Sequence, residues 1–210
     1  VQGRIGRHPQ HPSHLTVSGA LYLSDLHHLP WFHLKGLEAW SLDGDTVVQG
    51  QLNGSLDDWR TVEGRGTLQA TAVSITQVPV RDLVAELNQT QGRLTLRAIR
   101  AVVAEGLLTG DVQLDHQAQP PRYSLVLDAV SVNLGSLAAA MPAWQKRNLQ
   151  GTASTHVTLA GAWGNRVSLQ GDGWIHATGE RLADLPLLDR LLQGVFGVLA
   201  DRLGLSVLRR

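Results

Sequence analysis

The chain has 210 residues, and its 18 basic and 18 acidic residues give a formal net charge of zero. No basic cluster is longer than the terminal pair Arg209 and Arg210, so the sequence lacks the positive surface that nucleic-acid binding requires. The absence of cysteine excludes disulfides, thiolate metal sites and cysteine nucleophiles. The length is sufficient for one all-β domain or two small ones, with a buried core.

Alternating apolar and polar residues predict strands along most of the chain. The alternation begins at Leu15 and continues to Ser24. Similar segments follow at Thr46–Leu52, Thr67–Ile75, Arg93–Ala101, Thr109–Asp115, Tyr123–Val132, Thr152–Ala160 and Arg166–Thr178. Because glycine- and proline-rich breaks separate them closely, the sequence predicts a mainly β fold: an extended, curled antiparallel sheet, either a β-groove or an open sandwich.

Two segments are predicted to be helical. The first is a short helix near residues 133–141, with Asn133 as its N-cap and Pro142 directly after it. The second is a strongly apolar helix over about residues 186–205, where polar residues recur only every fourth position, and we expect it to cover part of the sheet. No strand is predicted at Pro79–Glu86.

An internal repeat relates two parts of the chain. Residues Leu52–Asp82 align without a gap with Leu159–Asp189, and both copies contain a Gly-x-Gly segment. These glycines are interpreted as hairpin turns or bulges that require positive φ. A repeat of this kind indicates that residues 1–210 form one elongated module with two related units, at about 46–86 and 153–193.

One side of the predicted strands is rich in leucine and valine. The candidate lining residues on this side are Leu68, Leu94, Leu96, Val112, Leu114, Leu125, Leu127, Val157, Leu159, Val167 and Leu169. An apolar sheet face has to be covered by a second sheet, a helix or a ligand. The residues alone leave two interpretations open, an ordinary closed core and a surface that binds lipid.

Three segments resemble the AsmA-like proteins of the bacterial envelope. Tyr123–Leu137 resembles their strand that turns into a short helix, and Leu149–Gly161 resembles the hairpin that follows. Leu169–Gly173, together with Leu185–Leu188, is similar to their C-terminal glycine and Leu-Pro signature. The resemblance extends over about residues 107–205, and the repeat carries it back to Leu52.

The resemblance implies a long, curled β-sheet whose concave face shelters acyl chains between two membranes. It also implies a location in the bacterial periplasm or cell envelope, and the expected ligand is phospholipid or another acyl lipid. A membrane surface or an envelope protein is the further expected partner. Family members usually carry an N-terminal membrane helix, so we expect this chain to be part of a longer membrane-anchored protein.

Enzymatic chemistry is not expected, and no cofactor, catalytic residue or metal site is predicted. The sequence has no Gly-x-Ser-x-Gly nucleophile motif. Histidines that could suggest a metal lie in irregular segments that fix no ligand geometry; they are His8, His11, His14, His27, His28 and His33. The alternative function is a structural or tethering scaffold that binds a protein through its C-terminal helix or a strand edge.

Overall fold

Within the described residues, the fold comprises ten strands and one short helix. A computed structural model describes residues 2–4, 13–22, 42–54, 62–75, 77–141, 144, 149–163 and 165–179. In chain order the elements are β1 (Gln2–Arg4), β2 (Ser13–Tyr22), β3 (Leu42–Gly54), β4 (Glu63–Ile75), β5 (Val78–Thr90), β6 (Arg93–Val103), β7 (Gly106–Asp115), β8 (Arg122–Asn133), α1 (Leu134–Ala140), β9 (Thr152–Ala162) and β10 (Asn165–Thr178).

All ten strands belong to one antiparallel sheet in which each strand pairs with the next one along the chain. The order from β1 to β10 is therefore a meander, and this confirms the predicted mainly β fold. Within the described residues β1 and β10 do not pair with each other, so the sheet is open. The predicted C-terminal helix, at residues 186–205, lies outside the described residues.

Two-residue turns join the central strands. Gln91 and Gly92 connect β5 to β6, and Ala104 and Glu105 connect β6 to β7. All four residues have positive φ, as a type I′ turn requires. The twist of such turns matches that of the strands, which keeps neighbouring strands closely paired over their length.

Bulges interrupt several strands, and side chains of the neighbouring strand compensate for them. Ala98 in β6 and Ser131 in β8 both have positive φ beside a shift of strand register. The Ala98 N–H donates to Asp111 Oδ1 at 2.9 Å, and the Ser131 N–H donates to Ser154 Oγ at 3.1 Å. The bulges therefore do not leave these two backbone donors unsatisfied.

The predicted short helix is confirmed, including its cap. The Asn133 side chain accepts a hydrogen bond from the Ser136 N–H at 3.0 Å, and the helix ends before Met141. Glu105 holds the same corner, since it accepts from Asn133 Nδ2 at 3.0 Å and from Ser136 Oγ at 2.8 Å. Helix α1 follows β8 and also contacts β5, so it crosses one end of the sheet.

This end of the sheet, which we call the helix end, contains the packed core of the described residues. Ala70, Val73, Val80 and Ala101 form one buried cluster, and Leu134 of α1 belongs to a second. The other buried members of the second cluster are Ala138, Trp144 and Leu149. Small side chains on the strands allow close packing, and burial of these groups is the main stabilising contribution.

Strand β5 is a difference from the sequence prediction. Val80, Leu83, Val84 and Leu87 are spaced as on a helix, yet residues 78–90 form a thirteen-residue strand. Asp82 has a φ of 52°, and this local irregularity shifts the apolar positions by one residue. The period of two therefore breaks within a strand that is otherwise continuous.

The repeated glycines are a second difference from the sequence prediction. Their interpretation as hairpin turns or bulges that require positive φ is wrong. Gly64 and Gly66 lie inside β4, and Gly171 and Gly173 lie inside β10. None of them has positive φ. They are needed because the neighbouring strand comes very close: a Cβ on Gly66 would stand 2.5 Å from the Gln49 carbonyl oxygen.

Candidate functional site

Strand register separates an apolar face from a polar face. Paired residues of antiparallel strands project to the same side, so the register can be followed from β3 to β10. On one side the paired positions are mostly Leu, Val, Ile, Ala and Gly, and this side is the apolar face. The opposite side, the polar face, carries mostly Arg, Asp, Glu, Gln, Thr and Ser.

A row of five large apolar residues crosses the apolar face away from the helix end. Leu87 pairs with Leu96, and the row continues strand by strand from β6 to β9. Its members, the leucine ladder, are Leu87, Leu96, Val112, Leu125 and Leu159. All five are partly exposed, and none belongs to either packed cluster of the described residues.

The structure brings most of the predicted lining residues together on the apolar face. Nine of them share this side by register: Leu68, Leu94, Leu96, Val112, Leu114, Leu125, Leu127, Val157 and Leu159. Val157 is buried, whereas the other eight are partly exposed. Lipid binding at these positions stays a prediction.

The remaining two predicted residues lie near the start of β10. Val167 is 95% exposed and falls within a register irregularity between Asn165 and Gln170. The structure therefore does not place Val167 with the ladder. Leu169 lies within the same irregularity, two positions before Gly171, and is partly buried.

Leu87 is the ladder residue that sequence reasoning missed. It lies in β5, where the bulge at Asp82 obscured the alternation. The available signal was the stretch after the bulge, in which Ala85 and Leu87 alternate with Glu86 and Asn88.

The two copies of the repeat occupy equivalent hairpins of the sheet. Leu52 pairs with Gly64 across β3 and β4, and Leu159 pairs with Gly171 across β9 and β10. In both hairpins the leucine side chain lies over the glycine, so a Cβ on Gly171 would stand 2.6 Å from Leu159 Cδ2. The shared glycines thus give room for a large side chain on the apolar face.

Ion pairs and hydrogen bonds link strands on the polar face. Arg93 donates to Asp115 at 3.0 Å, and this hydrogen bond holds the pKa of the Asp115 carboxyl below its usual range. Partial burial opposes the effect, while the backbone N–H groups of Gln117 and Ala118 reinforce it. On β8 and β9, Asp128 Oδ1 and His156 Nδ1 are 2.7 Å apart.

An aromatic pair marks the far end of the apolar face. The rings of Tyr123 and Trp163 meet edge to face, with centroids 6.0 Å apart. Burial raises the pKa of the Tyr123 hydroxyl. Because Tyr123 pairs with Gly161 in register, its side chain lies on the side of the sheet that carries the ladder.

The described residues form an open antiparallel meander with one apolar face, and this architecture is the structural class of the protein. The model of the AsmA family matches residues 45–173, and the chain therefore belongs to the AsmA family. No curated protein and no solved structure matches the chain. The AsmA family is associated with bacterial envelope proteins, and membership fits a role related to lipid transport in the envelope.

Two further observations concern the described part of the chain. None of its helices has both the length and the apolar character that crossing a membrane would require. No three His, Asp or Glu side chains of the described residues group together as metal ligands. The histidines at positions 8, 11, 27, 28 and 33 lie outside the described residues, and His14 is on β2.

Proposed function

We propose that the chain is a non-enzymatic, lipid-handling module of a bacterial cell-envelope protein. It shelters the acyl chains of phospholipid or another acyl lipid on the leucine ladder, in the periplasm, during intermembrane lipid transport or outer-membrane biogenesis. The observation that carries this proposal is the ladder itself, a row of partly exposed apolar side chains on adjacent strands. Membership of the AsmA family supports it.

The dimensions of the ladder suit an acyl chain. Four strand spacings separate Leu87 from Leu159, a span of about 19 Å. This span is comparable to that of an extended long-chain acyl group. Each methylene removed from water contributes about 0.8 kcal/mol, so a chain lying across the ladder would bind without any covalent chemistry. The charged headgroup would remain in water.

Site-specific photo-crosslinking tests the proposal with little disturbance of the fold. A photo-reactive phenylalanine derivative at Leu125 faces the apolar side, and the same residue at Val126 faces the polar side of the same strand. We expect crosslinks to phospholipid at position 125 and none at 126 when the chain is expressed in a bacterial periplasm. Equal crosslinking at both positions, or none at either, would contradict the proposal.

Charged substitutions give a second measurement. The chain is purified without detergent, and native mass spectrometry with lipid extraction counts bound lipid. Leu125→Asp and Leu127→Asp should lose the lipid, whereas the matched control Val126→Asp should retain it, since Val126 is already 37% exposed on the polar face. A folded, monodisperse wild-type chain without lipid would refute the lipid-binding function.

A protein-binding scaffold is the second candidate, and one observation favours it. Leu107 and Val130 pair directly on the polar face, where they are 50% and 52% exposed. An apolar pair on an otherwise polar surface is suited to contact with a protein partner. Leu107→Ser with Val130→Ser would abolish capture of such a partner and leave lipid binding unchanged.

A further inference from the structure

Among the described residues, two buried side-chain polar atoms have no hydrogen-bond partner. They are Oγ1 of Thr46 on β3 and Nε2 of Gln89 on β5. Gln89 pairs in register with Gly64 on one side and with Leu94 on the other, so it projects from the apolar face. A glutamine amide on this face is unusual, since almost every neighbouring position is apolar.

Gln89 stands directly beside one end of the leucine ladder. It is two residues beyond Leu87 on the same strand and the same face. Past Leu87 the row continues with Gly66 and Gly50, which add no apolar side chain, so the ladder ends at β5. The end of an acyl chain lying on the ladder would therefore reach the neighbourhood of Gln89.

An unpaired, dehydrated donor has a specific consequence for binding. In the lipid-free state the Gln89 nitrogen has already given up its hydrogen bond to water. A ligand oxygen that reaches it gains a hydrogen bond without displacing water from this donor, so the bond adds to affinity more fully than one at an exposed amide. The residue as a whole is only partly buried, so its side chain borders the surface on which the acyl chain would lie.

We infer that the side-chain amide of Gln89 donates a hydrogen bond to the carbonyl oxygen at the polar end of an acyl chain seated on the leucine ladder. This inference rests on the proposed function and deepens it. It fixes the orientation of the lipid, with the carbonyl at β5 and the methyl end towards β9. It also restricts the ligand to lipids that carry a carbonyl next to the chain, either as a glycerolipid ester or as a free fatty acid.

Matched pairs of lipids test the inference. The first pair is a diester phosphatidylglycerol and its diether analogue, which has the same chains and headgroup but no carbonyl. The second pair is hexadecanoic acid and hexadecanol. We expect the wild-type chain to bind the carbonyl-bearing member about fivefold more tightly, as one added hydrogen bond should provide. A preference within the first pair alone identifies an ester lipid as the source of the carbonyl. A preference within the second pair alone identifies a free fatty acid.

Three variants locate the preference. Gln89→Met keeps the size of the side chain and removes the donor, so the wild-type preference within each pair should fall about fivefold. Gln113→Met makes the same change on the polar face, where Gln113 pairs with Ser124, and should retain the preference. Tyr123→Phe removes a hydroxyl at the β8 side of the same face and should also retain it. A preference lost in Tyr123→Phe but kept in Gln89→Met would overturn the inference.

The thermal midpoint of the lipid-free protein gives an independent measurement. Replacing an unpaired buried amide by a thioether of similar shape should leave the midpoint of Gln89→Met equal to or above that of wild type. A lower midpoint would mean that Gln89 has a partner in the lipid-free protein, against the inference. Equal binding of all lipids by wild type would overturn the inference but not the proposed function, whereas no binding at all would overturn both.

Discussion

The helix end and the leucine ladder lie on the same apolar face, yet they differ in side-chain size and in burial. At the helix end Ala70, Ala101 and Val80 are 6%, 2% and 4% exposed, and α1 crosses the strands there. Along the ladder, Leu96 and Leu125 are larger and remain partly exposed. The closed-core interpretation therefore applies to the helix end, whereas the ladder keeps partly exposed apolar side chains, where lipid binding stays a prediction.

The difference shows how one sheet can fold stably and still keep apolar surface. Small residues let the strands and α1 approach closely, and this packing provides cohesion at one end. Large residues further along the strands extend the apolar face without being closed in by the packed clusters of the described residues. Substitutions that affect stability and substitutions that affect binding should thus separate along the strand direction.

The largest expected loss of stability comes from a substitution at the helix end. Leu134 is 1% exposed, so Leu134→Ala should lower the free energy of unfolding by about 3 kcal/mol through lost burial and a cavity. Leu125→Ala on the ladder should cost clearly less, because its side chain is only partly buried, but it should reduce bound lipid. Urea denaturation and lipid extraction measure the two quantities. Equal losses of stability in the two variants would mean that the helix end and the leucine ladder do not differ in packing.

The next effect tests whether the two repeat copies are built alike. A Cβ on Gly66 or on Gly173 would stand 2.5 Å from a backbone oxygen, of Gln49 or of His156 respectively. Gly66→Ala and Gly173→Ala should each cost about 2 kcal/mol, since the backbone has to shift. Thr67→Ala, at the next and exposed position, is the control. A loss in only one glycine variant would contradict the equivalence of the hairpins.

A smaller effect concerns the cap of α1. Asn133→Ala removes the acceptor for the Ser136 N–H and should destabilise the protein by about 1 kcal/mol. Asn133→Asp retains the acceptor at the cap and should recover part of the loss, although its charge stands near Glu105. Thermal denaturation of both variants decides the matter. Unchanged stability in Asn133→Ala would show that the cap does not help to hold the helix end.

The smallest expected effect concerns the ion pair between Arg93 and Asp115 on the polar face. Because folding lowers the pKa of Asp115, its charge stabilises the fold above the ordinary value of 3.8 and loses this effect as pH falls through the lowered pKa. Asp115→Asn should cost less than about 1 kcal/mol at neutral pH, since the pair is partly exposed. Urea denaturation as a function of pH should show this difference vanishing in acid. A difference that persists below the lowered pKa would contradict this origin.

Much of the fold could be predicted from local pattern, and each failure has an identifiable physical cause. Strands such as β7 and β9 alternate regularly, and the N-cap at Asn133 is followed by a short apolar run, so both were predicted. Strand β5 was missed because the bulge at Asp82 gives its apolar residues a helical spacing. The Gly-x-Gly segments were misread because close approach between strands is not a local property.

The sequence by itself determined the mainly β class, the short helix, the internal repeat and membership of the AsmA family, because alternation, capping and glycine spacing are local and leave a readable pattern. Only the tertiary structure decided which apolar residues stand side by side. Strand register depends on turn geometry and on bulges, and it aligned Leu87 with Leu96 and placed Gln89 beside them. The tertiary structure also determined the division between the packed core and the ladder, because the burial of a side chain depends on which residues of the neighbouring strands and of α1 lie close to it.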